Sequence, residues 1–251
     1  MILAVVNQKG GVGKSTTAVN LAAALGEAGK RVLVVDMDPQ GNATSGFGLS
    51  KNHRESCIYN ALLGEADIDS LIERYGDYHV DVVPATIQLA GAEVELVTAL
   101  SRETRLKGLI DPKRAQYDYI LVDCAPSLGL LTINALTAAD GVIIPIQCEF
   151  YALEGLSKLL DSVRLVKTHL NSSLSVFGVV MTMYDGRTKL ASQVVDEVHE
   201  FFPEAVFETK IPRSVRVSEA PGFGQPVTDY DPKGKGAVAY RELAKEVMQR
   251  G

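Results

Sequence analysis

The sequence predicts an α/β protein: a doubly wound, mostly parallel sheet with helices on both faces. Short apolar runs alternate with helically spaced segments from end to end, the order that builds βαβ units. The runs are β-branched or leucine-rich without polar alternation, as strands are when both faces of a sheet are covered. A glycine-rich segment joins the first run to the first helical pattern, the setting of a phosphate loop.

The expected strands are Ile2–Val6, Val32–Val35, Val80–Val83, Tyr119–Val122, Val142–Ile146 and Val176–Met181. Between them, Ser15–Ala28, Ile87–Leu100, Leu130–Ala138, Leu153–His169 and Leu190–Phe201 carry apolar residues at helical spacing. No repeat or low-complexity linker interrupts the series, so residues 1–251 are expected to form one domain. Gly46–Ser56 is the most polar interior stretch and is expected to be a surface loop. A last helix, Gly236–Arg250, places Val238, Leu243, Ala244 and Val247 on one face and mixes Glu242 and Glu246 with Arg241, Lys245 and Arg250. A membrane-anchoring helix needs bulky apolar residues opposite an excess of Lys and Arg. This one reads as packed on the core.

Charge and cysteine usage narrow the function classes. With 25 Lys and Arg against 31 Asp and Glu, the net charge is −6, so DNA binding would have to come from a local patch. No run of eighteen apolar residues is present, and the apolar start lacks the basic region and cleavage site of a signal peptide. Cys57, Cys124 and Cys148 are odd in number and far apart, which points to buried thiols in a reducing compartment. His53, His79, His169 and His199 have no metal-ligand spacing.

The segment KGGVGKST, Lys9 to Thr16, follows the first strand and opens the first helix. Gly10, Gly11 and Gly13 let the backbone curl around Val12 so that amides face phosphate oxygens, and the helix adds its positive N-terminal end. Lys14 is then expected on the β- and γ-phosphates, the Ser15 hydroxyl on Mg²⁺, and Thr16 beside the α-phosphate of ATP. Carboxylates stand at two strand ends, Asp36 and Asp38 in RVLVVDMDPQGNAT and Asp123 in YDYILVDCAPS. Open parallel sheets bind their ligands at that edge.

The loop departs from the general pattern: Gln8 stands where the first glycine is usual, and Lys9 follows it. Two lysines five apart resemble the deviant Walker A loop of the ParA, MinD and nitrogenase-iron-protein group. DMDPQGNATSG, PATIQLAGAEVEL, DCAPSLGLLTINAL, PIQCEFYALEGL, TMYDGRT and IPRSVRVSEAPGFG are similar to ParA proteins of the Soj kind, along nearly the whole chain. The resemblance implies a P-loop NTPase fold, hydrolysis of ATP with Mg²⁺, and an ATP-dependent homodimer. In that dimer Lys9 reaches the partner's phosphates as an arginine finger does. It implies further that Asp38 positions the attacking water, that Asp36 lies near the Mg²⁺ shell, and that Asp123 holds a Mg²⁺-bound water. Ile211–Ser214 would border the adenine and ribose, with Pro212 on the base and Arg213 adjoining. Met183 fits either that pocket or the core. The family usually has Asn where this chain has Ser214, which leaves a hydroxyl in place of an amide.

The same resemblance implies sequence-independent binding of double-stranded DNA through Arg187 and Arg216, with no base-reading module. Lys233, Lys235, Arg241 and Lys245 are candidate extensions, better read as a solvated face. A ParB-like centromere-binding partner and a cytoplasmic, nucleoid-associated location complete the expectation, with no membrane contact. The alternative is a MinD-like membrane-cycling ATPase, for which the last helix lacks the basic amphipathic pattern. A relative of the iron protein would need paired cysteines at a dimer axis, which Cys124 and Cys148 do not supply. A non-catalytic scaffold would not need Lys9, Lys14, Ser15, Asp38 and Asp123 together.

Overall fold

The computed structural model describes residues 1–52, 54–149 and 154–251. Its strands are β1 (Ile2–Val5), β2 (Val32–Met37), β3 (Glu73–Tyr75), β4 (Val80–Val83), β5 (Tyr119–Cys124), β6 (Gly141–Gln147), β7 (Ser175–Tyr184) and β8 (Val206–Pro212). They form one sheet in the order β3-β4-β2-β5-β1-β6-β7-β8. Every pairing is parallel except β3 with β4. Six strands answer to the predicted apolar runs. The two that do not, β3 and β8, are the edges, where one row of backbone groups is unpaired and charged residues such as Glu73, Glu208 and Lys210 are admitted.

The helices are α1 (Lys14–Glu27), α2 (Asn42–Gly46), α3 (Ile58–Leu63), α4 (Leu89–Glu95), α5 (Arg105–Ile110), α6 (Leu130–Ala138), α7 (Glu154–His169), α8 (Lys189–Phe201), α9 (Val215–Glu219), α10 (Val227–Tyr230) and α11 (Lys235–Arg250). Successive strand residues serve opposite cores, as the pleat requires. Leu3 and Val5 join α1, α2, α9, α10 and α11 on one side. Ile2 and Ala4 join α3 to α8 on the other. The doubly wound sandwich is thus the predicted one. No described helix is long and apolar enough to cross a membrane.

Three expectations need correction, and others fall outside the described residues. Helical structure over Ile87–Leu100 shrinks to α4 and a 3₁₀ turn, Leu96–Thr98; beyond it Ala99 is extended and Leu100 is exposed. The stretch Gly46–Ser56 is not wholly surface, because Phe47 is buried and packs 5.0 Å from the Tyr75 ring. Val238 lies half-exposed while Ala237, Tyr240, Leu243, Ala244 and Val247 pack inward, so the apolar stripe of α11 runs one position beside the one expected. Leu153, the predicted start of α7, the FYAL portion of PIQCEFYALEGL, and His53 lie outside the described residues. Cys57, Cys124 and Cys148 are free and buried, as expected.

Candidate nucleotide and metal site

β1 lies between β5 and β6, so the chain leaves it toward one half of the sheet and later resumes on the other. The crevice at its C-terminal end is the switch point where open α/β sheets bind ligands. Residues 6–13 fill that crevice. Gly11 and Gly13 have φ of +74° and +88°, a left-handed backbone that a side chain would strain. The Gly13 carbonyl then receives the Thr17 amide at 2.8 Å, which starts α1 with its free amides facing the loop.

Two side chains outside the glycine motif, and one within it, fasten this loop. Asn7 donates from Nδ2 to the Pro145 carbonyl of β6 at 2.7 Å and accepts the Lys9 amide at Oδ1 at 3.0 Å. The Thr182 hydroxyl of β7 donates to the Val12 carbonyl at 2.8 Å. The Lys14 ammonium donates to the Lys9 carbonyl at 3.2 Å. The Lys9 side chain crosses to Glu149, with Nζ 3.4 Å from Oε2.

The acidic half of the site comes from β2 and β5, whose register sets Asp36 directly beside Asp123. Both are fully buried. Asp36 is consumed by local structure: its Oδ2 accepts the Thr44 amide at 2.8 Å and the Thr44 hydroxyl at 2.7 Å, and its Oδ1 accepts the Asp38 amide at 3.1 Å. The Thr44 hydroxyl also receives the Ala85 amide. Asp36 thereby pins α2 and sets the turn that carries Asp38. Asp123 is the opposite case. Neither of its oxygens has a hydrogen-bond partner, although both are buried, and the Ser15 hydroxyl beside it opposes its pKa rise without meeting hydrogen-bond geometry.

The charges register this crowding. Burial first, and the neighbouring Asp36 second, push the Asp123 carboxyl well above the usual range. Burial likewise raises Asp36 against the hydrogen bonds from Thr44 and Asp38. Desolvation lowers the Lys14 ammonium, with Asp123 and Asp38 pulling the other way. Two orphaned carboxylate oxygens next to a serine hydroxyl suit a hard divalent cation, because an unpaired buried anion is otherwise costly. Among the described residues no three His, Cys, Asp or Glu side chains converge as a metal cluster. A magnesium ion here would therefore draw most of its ligands from phosphate, water and the Ser15 hydroxyl.

A cavity of about 430 Å³ opens over the loop, lined by Gly10, Gly11, Gly13, Lys14, Ser15, Thr16, Asp38, Pro126 and Met183 among others. It shares Gly13, Thr16, Met183 and Pro221 with a second cavity of about 160 Å³ lined by Ile211, Pro212, Arg213 and Ser214. The residues expected around phosphates and base thus lie along one continuous trough. Met183 lines both parts and has φ +50°, uncommon for a side chain of its size. Ser214 precedes α9 but makes no side-chain cap.

The two arginines expected at DNA follow neighbouring strands at the same edge of the sheet. Tyr184 of β7 is in register with Pro212 of β8, and the Arg213 amide donates to the Tyr184 carbonyl at 3.1 Å. Arg187 and Arg216 come three and four residues beyond that pair. Arg187 is highly exposed and paired with Asp185, whose carboxyl it holds down near pH 2. Arg216 contacts Glu219 at 3.1 Å and lies over the Tyr230 ring. Of the candidate extensions, Arg241 is bound to Glu27 and Lys245 to Glu242. Asn7, Thr44, Thr182 and Glu149 escaped the sequence reading; an Asn two residues before Lys9 was a usable signal, whereas the others are brought in by the sheet.

A family model described as an AAA domain matches residues 1–176. The sporulation initiation inhibitor protein Soj of Bacillus subtilis is 58% identical over 250 residues, covering 100% of this chain and 99% of that protein. The chromosome partitioning protein ParA of Myxococcus xanthus is 53% identical over 249 residues, covering 99% and 88%. Among solved structures, the cobyrinic acid a,c-diamide synthase of Mycobacterium smegmatis with bound ADP and magnesium superposes with a TM-score of 0.87 at 37% identity, covering 99% of this chain and 94% of that one. With an identity above half along its whole length and the phosphate loop and strand-end carboxylates in place, the chain belongs to the ParA/Soj family of chromosome-partitioning ATPases, within the ParA/MinD superfamily.

Proposed function

We propose that this protein hydrolyses ATP to drive partition of chromosomal or plasmid DNA, cycling between a single subunit and an ATP-bound sandwich dimer. The observation that carries the reading is the pairing of a phosphate loop with two orphaned oxygens on a buried Asp123 beside Ser15. Bound Mg²⁺ would neutralise phosphate charge and order the triphosphate. Ser15 and Asp123 would hold the ion. The loop amides and Lys14 bind the phosphates, and Asp38, held on the turn that Asp36 sets, orients the attacking water. Pro212, Arg213, Ser214 and Met183 border the base. Lys9 serves the partner's triphosphate, offsetting charge that develops in transfer.

Self-association has support in an exposed apolar surface. The segment around α4 is apolar on its buried side, at Leu89 and Ala92, and also outward, where Ile87 before the helix, Val94 within it and Val97 in the 3₁₀ turn after it are exposed. Dimerisation would bring together two copies of Arg187 and Arg216 for contact with DNA phosphates, and a ParB-like partner would stimulate hydrolysis and release.

The test uses the Asp38→Ala variant, which retains the loop and slows hydrolysis. Sedimentation velocity with ATP and Mg²⁺ should show a dimer, and with ADP a monomer. A chain that stays monomeric in saturating ATP and Mg²⁺ refutes the proposal. ATPase rates with DNA and the centromere-binding protein, separately and together, test the partner.

A further inference from the structure

In the proposed sandwich dimer Lys9 serves the partner's triphosphate, yet within a single chain its charge is already engaged. Its ammonium is 3.4 Å from Glu149 Oε2. The geometry leading to this contact is built, not incidental. The buried Asn7 amide locks the start of the loop onto the Pro145 carbonyl of β6 and receives the Lys9 amide. Two residues after Pro145, β6 ends at Gln147, whose side-chain amide donates to Glu149 Oε1. Backbone position of Lys9 and side-chain position of Glu149 are therefore both set by the end of one strand. The second carboxylate oxygen lies 3.8 Å from Arg213 Nη2, so Glu149 stands between the phosphate-loop lysine and the arginine at the base pocket.

We infer that Glu149 is a positioning residue: an in-chain counter-ion that holds Lys9 at home and sets the threshold for ATP-driven dimerisation. This rests on the reading of Lys9 as a residue that serves the neighbouring subunit. A lysine held by its own chain's carboxylate cannot offer its full charge to a phosphate across an interface, so each subunit must break one contact as the dimer closes. Both partners are partly exposed, 37% for Lys9 and 46% for Glu149. Such pairs are weak, biasing an equilibrium roughly two- to fivefold each. A latch of that strength is breakable by a triphosphate yet tight enough to discourage closure without one. Two latches open per dimer, so their removal should multiply to roughly four- to twenty-five-fold.

Glu149→Gln, made in the Asp38→Ala background, tests the inference. It keeps the shape and removes the charge. Dimer dissociation constants are measured by sedimentation velocity in ATP and Mg²⁺, at low salt and at high salt. The expected result is a dimer tighter by that factor at low salt, with the gap closing at high salt as screening weakens the latch in the parent. Glu149→Ala should tighten the dimer equally, since charge and not the Gln147 contact is at issue. A dimer of unchanged affinity in both variants overturns the inference. A weaker dimer overturns it too, and would place the Glu149 carboxylate on the partner's lysine. Failure of the Asp38→Ala parent itself to dimerise strikes the proposed function, leaving the two failures distinguishable.

Discussion

Asp123→Asn should make the chain more stable and less able to use magnesium. Asp123 is fully buried, sits beside Asp36 across the β2–β5 pair, and has no hydrogen bond to either oxygen. Removing such a desolvated, like-charged carboxylate should be worth roughly 1–3 kcal/mol. For a chain of 251 residues, unfolding entropy makes each kcal/mol about 2 °C, so Tm without nucleotide and in EDTA should rise by about 2–6 °C. The pH dependence has a definite sign. Because the folded pKa is raised above the unfolded value, the native carboxyl weakens the fold progressively as pH climbs above about 4, the unfolded value. The gain from Asn should then be largest at pH 7–8 and vanish near pH 4. The assay is thermal unfolding over that range, with and without ATP and Mg²⁺. In the variant, the extra stabilisation that Mg²⁺ gives over ATP alone should disappear. A fall in Tm in EDTA, or a Mg²⁺ increment equal to that of the native chain, would refute the reasoning.

Thr44→Val should leave the Ala85 amide unpaired and remove one acceptor bond from Asp36, costing about 2–4 kcal/mol and lowering Tm by about 4–8 °C in thermal unfolding. Lys14→Ala should lower ATP affinity at least tenfold in titration calorimetry, because the loop loses its phosphate charge; unchanged affinity would contradict the assignment of the loop. Arg216→Glu should weaken DNA binding at least tenfold in a low-salt filter assay while ATP-driven dimerisation persists, and the slope of log affinity against log salt should flatten.

Much of this molecule was legible in its one-dimensional pattern. The six inner strands announced themselves because burial on both faces demands unbroken apolar runs, and Lys9–Thr16 did so because a phosphate loop admits few residue types. β3 and β8 did not, since an edge strand is wet on one side and tolerates Glu, Arg and Lys. The short helices α2, α3, α5, α9 and α10 are four to six residues each, too brief for a helical period to show.

Residue identity also marked Asp36, Asp38 and Asp123 as the acidic side of the site, but it gave them similar standing. Folding separates them. Asp36 accepts three hydrogen bonds from residues two and eight positions on, whereas Asp123, its neighbour across the strand pair, accepts none. That difference depends on which donors a turn and a short helix deliver to a buried oxygen. The Lys9–Glu149 contact is likewise a product of β1 and β6 lying side by side, 140 residues apart along the chain. Local sequence determined the strands, the loop and its lysines through periodicity and residue type. Which charges are satisfied, which are left open for a cation, and which lysine is held by its own chain were decided only when the sheet brought distant strand ends together.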